Sequence, residues 1–118
     1  MKLPRAVLLI DDDPVHLQIY GWLLQSAGFD AYPALFADDS VQLPENQKID
    51  VAILDYRISG KLNIHEATRL IRKAFPAVPI ILLADVYDMT DALARNVTTF
   101  VRKGEPAKLI AAVHEHAL

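Results

Sequence analysis

A doubly wound α/β fold, with a five-stranded parallel sheet and helices on both faces, is the architecture this sequence predicts. Two observations carry that expectation. Short apolar runs recur along the chain, and those at 6–10, 51–54 and 80–83 are continuous, as in strands covered on both faces. Stretches of helical period separate the runs, so strand and helix alternate about five times.

The elements follow in order. The first strand, 6–10, leads into Asp13, a good N-cap, and Pro14, suited to a first helical position. Leu17, Tyr20, Leu23, Leu24 and Ala27 then form an apolar stripe that Gly28 ends as a C′ residue. The run at 31–36 contains Pro33 and reads as an edge strand. After 51–54 comes a second stripe of Ile64, Ala67, Leu70, Ile71 and Ala74, stopped by Pro76. The runs 80–83 and 98–101 supply the last two strands, and Leu109, Ile110, Val113 and Ala117 mark the last helix, entered through Glu105-Pro106. Segments 38–43 and 89–95 are expected to be short helices.

Composition narrows the class. With 118 residues, 53% hydrophobic and 23% charged, the chain suits one globular domain spanning 1–118 and excludes disorder. A net charge of −3 without a block of like charges gives no footprint for nucleic acid. Cysteine is absent, which excludes disulfides and thiolate metal sites. The apolar run after Arg5 is only five residues long, too short for a signal peptide or a membrane span, so a cytoplasmic protein without membrane contact is expected.

In doubly wound sheets the functional crevice lies outside the carboxyl ends of the strands. Asp11, Asp12 and Asp13 follow the first strand, Asp55 the third and Lys103 the fifth, with Arg102 just before it. Carboxylates gathered from two strand ends repel one another, and a hard divalent cation such as Mg²⁺ relieves that conflict. Lysine across the pocket adds a positive charge suited to a phosphate oxygen. A lone aspartate at a strand end is usually a cap, but acids and lysine at three strand ends of one sheet are a different matter. The four histidines, His16, His65, His114 and His116, are assigned structural positions on helices, and Trp22 is assigned to helix packing.

The stretches VLLIDDDPVHLQIYGWLLQSAGF, VAILDYRISG and TFVRKGEPAKLI resemble response-regulator receiver domains of two-component systems over essentially the whole chain. The resemblance implies the strand order 2-1-3-4-5. It implies phosphorylation of Asp55. It implies Mg²⁺ held by Asp12 directly, Asp11 largely through water, Asp55, and the backbone carbonyl of Arg57. It also implies phosphate contact by Lys103, and switch positions at Ala84 and Phe100. A sensor histidine kinase or phosphotransfer protein would donate the phosphoryl group, and a downstream protein would receive the signal. The chain would act as a signalling module, not an enzyme, and homodimerisation is compatible with this reading.

The sequence departs from the family at several points. Ala84 stands where Thr or Ser usually donates to the phosphoryl group, the segment from Ala84 to Lys103 is short, Ser59-Gly60 replaces a proline turn, Asn63 replaces a common glycine, and Gly104 stands where proline is typical. Ala84 and the short segment favour a pseudo-receiver, an interaction module independent of phosphorylation; the full acidic set with Lys103 opposes it. An aspartyl-phosphate phosphohydrolase would place its nucleophile after the first strand. A flavin protein would not face phosphate with three acids.

Overall fold

The computed structural model describes residues 4–38, 40–56, 64–85 and 97–117. Within them the strands β1 (Ala6–Asp11), β2 (Asp30–Ala37), β3 (Ser40–Val41), β4 (Val51–Tyr56), β5 (Ile80–Ala84) and β6 (Thr99–Arg102) form one sheet in the order β3-β2-β1-β4-β5-β6. The five parallel strands taken alone run 2-1-3-4-5, as expected. Three helices are described: α1 (Pro14–Ser26), α2 (Ile64–Ala74) and α3 (Pro106–His116).

Two expectations are corrected here. The sheet has a sixth strand, and the segment expected as a helix at 38–43 contains it: Ser40–Val41 folds back antiparallel on Phe36 and Ala37. Asp38 takes φ 55°, a left-handed turn that aspartate tolerates, and this reverses the chain before a helix could start. The proposed helix at 89–95, and the positions Arg57, Ser59, Gly60 and Asn63, lie outside the described residues.

Strand alternation divides the interior into two cores. Val7 and Leu9 of β1, Val51 and Ile53 of β4, and Ile81 and Leu83 of β5 face Leu17 and Leu24 of α1 and Leu109 and Val113 of α3. Leu8, Ile10, Ala52, Leu54, Ile80 and Leu82 face Ile64, Ala67 and Ile71 of α2. The central strands are therefore apolar at every position up to the acids Asp11 and Asp55 near their carboxyl ends, which is why their runs do not alternate. Pro33 fits β2 because Asp30 N–H donates to Arg5 O at 2.9 Å. Alternation then turns the nitrogen of Pro33 away from β1, to a side where β3 pairs only Phe36 and Ala37.

Local signals set the helix ends. Asp13 caps α1, its Oδ1 accepting from Val15 N–H at 2.8 Å, with Pro14 next. Gly28 leaves the helix at φ 92°, its N–H on Gln25 O, while Phe29 N–H reaches Leu24 O. Trp22, assigned to packing, is 60% exposed, and Val15 and Ile19 on the same side of α1 are exposed too.

Packing gives a direct test. Ile53 is fully buried between α1 and α3, so Ile53→Ala should cost about 2–5 kcal/mol. Trp22→Ala should stay within about 1 kcal/mol. Urea denaturation followed by circular dichroism measures both, and equal losses would contradict the assignment of Trp22 to the surface.

Candidate functional site

The alternation that builds the core also collects the polar groups. Asp11 follows Val7 and Leu9 on one face of β1, Asp55 follows Val51 and Ile53 on the same face of β4, and Lys103 comes just beyond β6 after Val101. Strands β1 and β4 are direct neighbours, so two carboxylates emerge side by side at the carboxyl edge. Both are almost wholly shielded, each 1% exposed.

Asp55 is in ion-pair contact with Lys103, Oδ1 to Nζ, and the two side chains are 0% and 10% exposed. Backbone geometry anchors that lysine, since Lys103 N–H donates to Ala84 O at 2.9 Å. Gly104, at φ 86°, then turns the chain towards α3. Asp11 accepts a hydrogen bond from Asp13 N–H at 3.2 Å through Oδ1. Its Oδ2 receives none from a described donor and lies in the pocket beside Asp55.

Burial, first, and then hydrogen-bonding contact with Asp55 and its negative charge push the Asp11 carboxyl up to about 8. The same field acts on Tyr20 of α1, whose phenol is pushed up by burial, then by Asp55, Asp11 and Asp85.

Asp12 is half-buried and touches Asp11 through both its carboxyl group and its backbone N–H. The pocket also holds a residue that the sequence reading set aside. His16 Nδ1 lies 3.2 Å from Asp11 Oδ2 and 3.7 Å from Asp55 Oδ2, and Nε2 lies 3.8 Å from Asp13 Oδ2. Asp11, His16 and Asp55 form a group whose ligand atoms all lie within 4.8 Å of one another. A signal for this was present: His16 sits in the first turn of α1, and helical side chains lean back towards the helix N-terminus, here the strand end that carries Asp11.

The expected switch positions sit on the opposite alternation. Ala84 is buried at the end of β5, paired in register with Tyr56 and Arg102. Phe100, on β6 opposite Leu82, is half-buried against the α2 core. Arg57 lies outside the described residues.

The donor set suits a divalent cation. Two shielded carboxylates with a third acid beside them offer oxygen ligands, and without a counter-charge they repel.

Comparison with known proteins matches residues 7–114 to the family model described as the response regulator receiver domain. The transcriptional regulatory protein GlrR of Escherichia coli K12 is 29% identical over 103 residues, 85% of this chain and 23% of that protein. A cyclic di-GMP phosphodiesterase of Thermotoga maritima is 28% identical over 117 residues, 96% of this chain and 31% of that protein. The chain thus spans less than a third of the length of these relatives. Among solved structures, the receiver domain of a sensor histidine kinase of Pseudomonas aeruginosa PAO1 superposes with a TM-score of 0.72 at 22% identity, covering 97% of this chain and 98% of that one. That structure has a magnesium ion coordinated in its active site cleft.

The raised Asp11 group makes metal-free stability depend on pH. The native chain keeps this proton up to about 8, whereas the unfolded chain loses it near 3.8. The native state therefore binds more protons in between, and stability falls as pH rises through that window. The decline should reach at most about 1.4 kcal/mol per pH unit. Urea denaturation in a chelator between pH 5 and 8 should show this slope in the wild type and a flatter one in Asp11→Asn. Identical slopes would remove Asp11 as its source.

Proposed function

The chain belongs to the response regulator receiver domain family, and from that premise we propose that it is a phosphoacceptor module, taking a phosphoryl group on Asp55 with Mg²⁺. One observation carries the reading: Asp55 is shielded at a strand end, with Asp11 on one side and Lys103 in ion-pair contact on the other. We take residues 1–118 as one receiver domain.

Asp11, Asp12, Asp55 and the backbone carbonyl of Arg57 would hold the cation. Bound Mg²⁺ supplies neutralisation of the charge that phosphoryl transfer concentrates in this pocket. A carboxylate oxygen of Asp55 forms the new bond to phosphorus as the bond from phosphorus to the donor's leaving group breaks. The strand holds that oxygen in place, so little reorganisation is needed. Lys103 exchanges its contact with the carboxylate for one with a phosphoryl oxygen, keeping the new negative charge paired. The donor is a sensor histidine kinase or a phosphotransfer protein, and the output is contact with a downstream protein in the cytoplasm. Among the described residues no helix is long and apolar enough to cross a membrane.

Conformational output would run through Ala84 and Phe100. A ligand shifts an equilibrium only by binding its two states differently. Ala84 offers no hydroxyl to the phosphoryl group, so one hydrogen bond to a charged group, worth about 1.5–3 kcal/mol, is missing from the active state. This supports a second reading, in which the fold serves as an interaction module whose partner binding does not need phosphorylation.

Incubation with acetyl phosphate and Mg²⁺ separates the two. Intact mass should rise by one phosphoryl group in the wild type, not in Asp55→Asn, and far more slowly in chelator or in Asp12→Ala. An unmodified wild type, or an adduct that survives Asp55→Asn, would remove the phosphoacceptor reading.

A further inference from the structure

We propose that His16 is a metal ligand, so that the cation site of this chain has a nitrogen donor beside its carboxylates and favours first-row transition ions over Mg²⁺ more strongly than an all-oxygen site would. The inference rests on the metal-site reading above and concerns which cation that site selects.

Three observations converge on it. The first is spacing. Ligand atoms about 2.1 Å from a shared cation stand about 3 Å apart when adjacent and about 4 Å apart when opposite. His16 Nδ1 is 3.2 Å from Asp11 Oδ2 and 3.7 Å from Asp55 Oδ2, inside that range. A cation can therefore meet all three residues with small movements.

The second is the state of the facing atoms. Asp11 Oδ2, Asp55 Oδ2 and His16 Nδ1 are each shut off from solvent, and beyond their approach to one another none has a hydrogen-bonding partner among the described residues. Asp11 and Asp55 are themselves 1% exposed. Buried polar atoms are rarely left this way, and here they point at one another.

The third is the far side of the ring. Asp13 Oδ2 lies 3.8 Å from Nε2. With a cation on Nδ1 the ring proton sits on Nε2, where Asp13 faces it as a nearby negative charge and not as a hydrogen-bond partner. Carboxylate, imidazole and metal in sequence are a recurrent way to orient a histidine ligand. Asp13 is held for this by its own capping bond to Val15 N–H at 2.8 Å.

The consequence is chemical. Carboxylate and water suit Mg²⁺, whereas an imidazole adds affinity for Co²⁺, Zn²⁺ or Ni²⁺ and little for Mg²⁺. Asp12, half-buried and in contact with Asp11, keeps its place in the carboxylate set, and His16 adds a nitrogen to it.

Two measurements test the assignment. Calorimetric titrations with CoCl₂ and MgCl₂ should show that His16→Leu loses at least about tenfold more affinity for Co²⁺ than for Mg²⁺. Pulsed electron paramagnetic resonance of the Mn²⁺-loaded protein should show coupling to a directly bound nitrogen in the wild type and none in His16→Leu or His16→Gln. Binding of Mn²⁺ without nitrogen coupling, or equal losses for Co²⁺ and Mg²⁺, would overturn the role of His16 and leave the carboxylate site standing. Failure of the wild type to bind any of these ions would overturn the site and this inference together.

Discussion

Two carboxylates that cannot both be comfortably ionised sit side by side at the carboxyl edge of the sheet, and much of the arrangement around them follows from that constraint. Asp11 and Asp55 leave adjacent strands on the same alternation, each almost sealed from water. Water would normally screen them; burial removes the screen and raises Asp11. The neighbours answer the conflict in part. Lys103 meets Asp55, Asp13 N–H meets Asp11, and His16 closes over both. The remaining oxygen atoms are what a divalent cation would satisfy.

The sheet keeps the conflict in place. Strands β1, β4 and β5 are apolar at nearly every position because one core lies under α1 and α3 and the other under α2. Parting the two acids would mean shifting a register fixed by both cores, since a one-residue slip exchanges the faces of a strand. Ile53 and Leu54 are fully buried on opposite faces of β4, so such a slip would misplace both. The site is therefore strained electrostatically and rigid mechanically, a combination that favours ligand binding over rearrangement.

Much of this was legible in the sequence because burial on both faces writes continuous apolar runs, and because strand parity carries Asp11 and Asp55 to one side. Asp13-Pro14 and Gly28 likewise gave the ends of α1 from capping chemistry alone. The β3 hairpin was not legible. A two-residue strand has no periodicity, and the turn at Asp38 depends on a left-handed backbone that many residues avoid. His16 was missed for a different reason: its neighbours in space come from β1 and β4, and only the backward lean of side chains in a first helical turn connects them. Trp22 was misplaced because α1 is apolar around most of its circumference, so the pattern does not say which apolar residues face inward.

The most direct test of the central constraint is to count the protons that leave when the cation enters. Asp11, raised to about 8, is mostly protonated at pH 7, and a cation bound there must displace that proton. Calorimetry of Mg²⁺ binding at pH 7 in two buffers of different ionisation enthalpy gives that number. Close to one proton per cation should leave in the wild type, and little in Asp11→Asn wherever that variant still binds. Mg²⁺ binding by the wild type with no proton released would mean that Asp11 is already ionised in the metal-free protein, contradicting a conflict between two buried carboxylates that burial resolves by protonation.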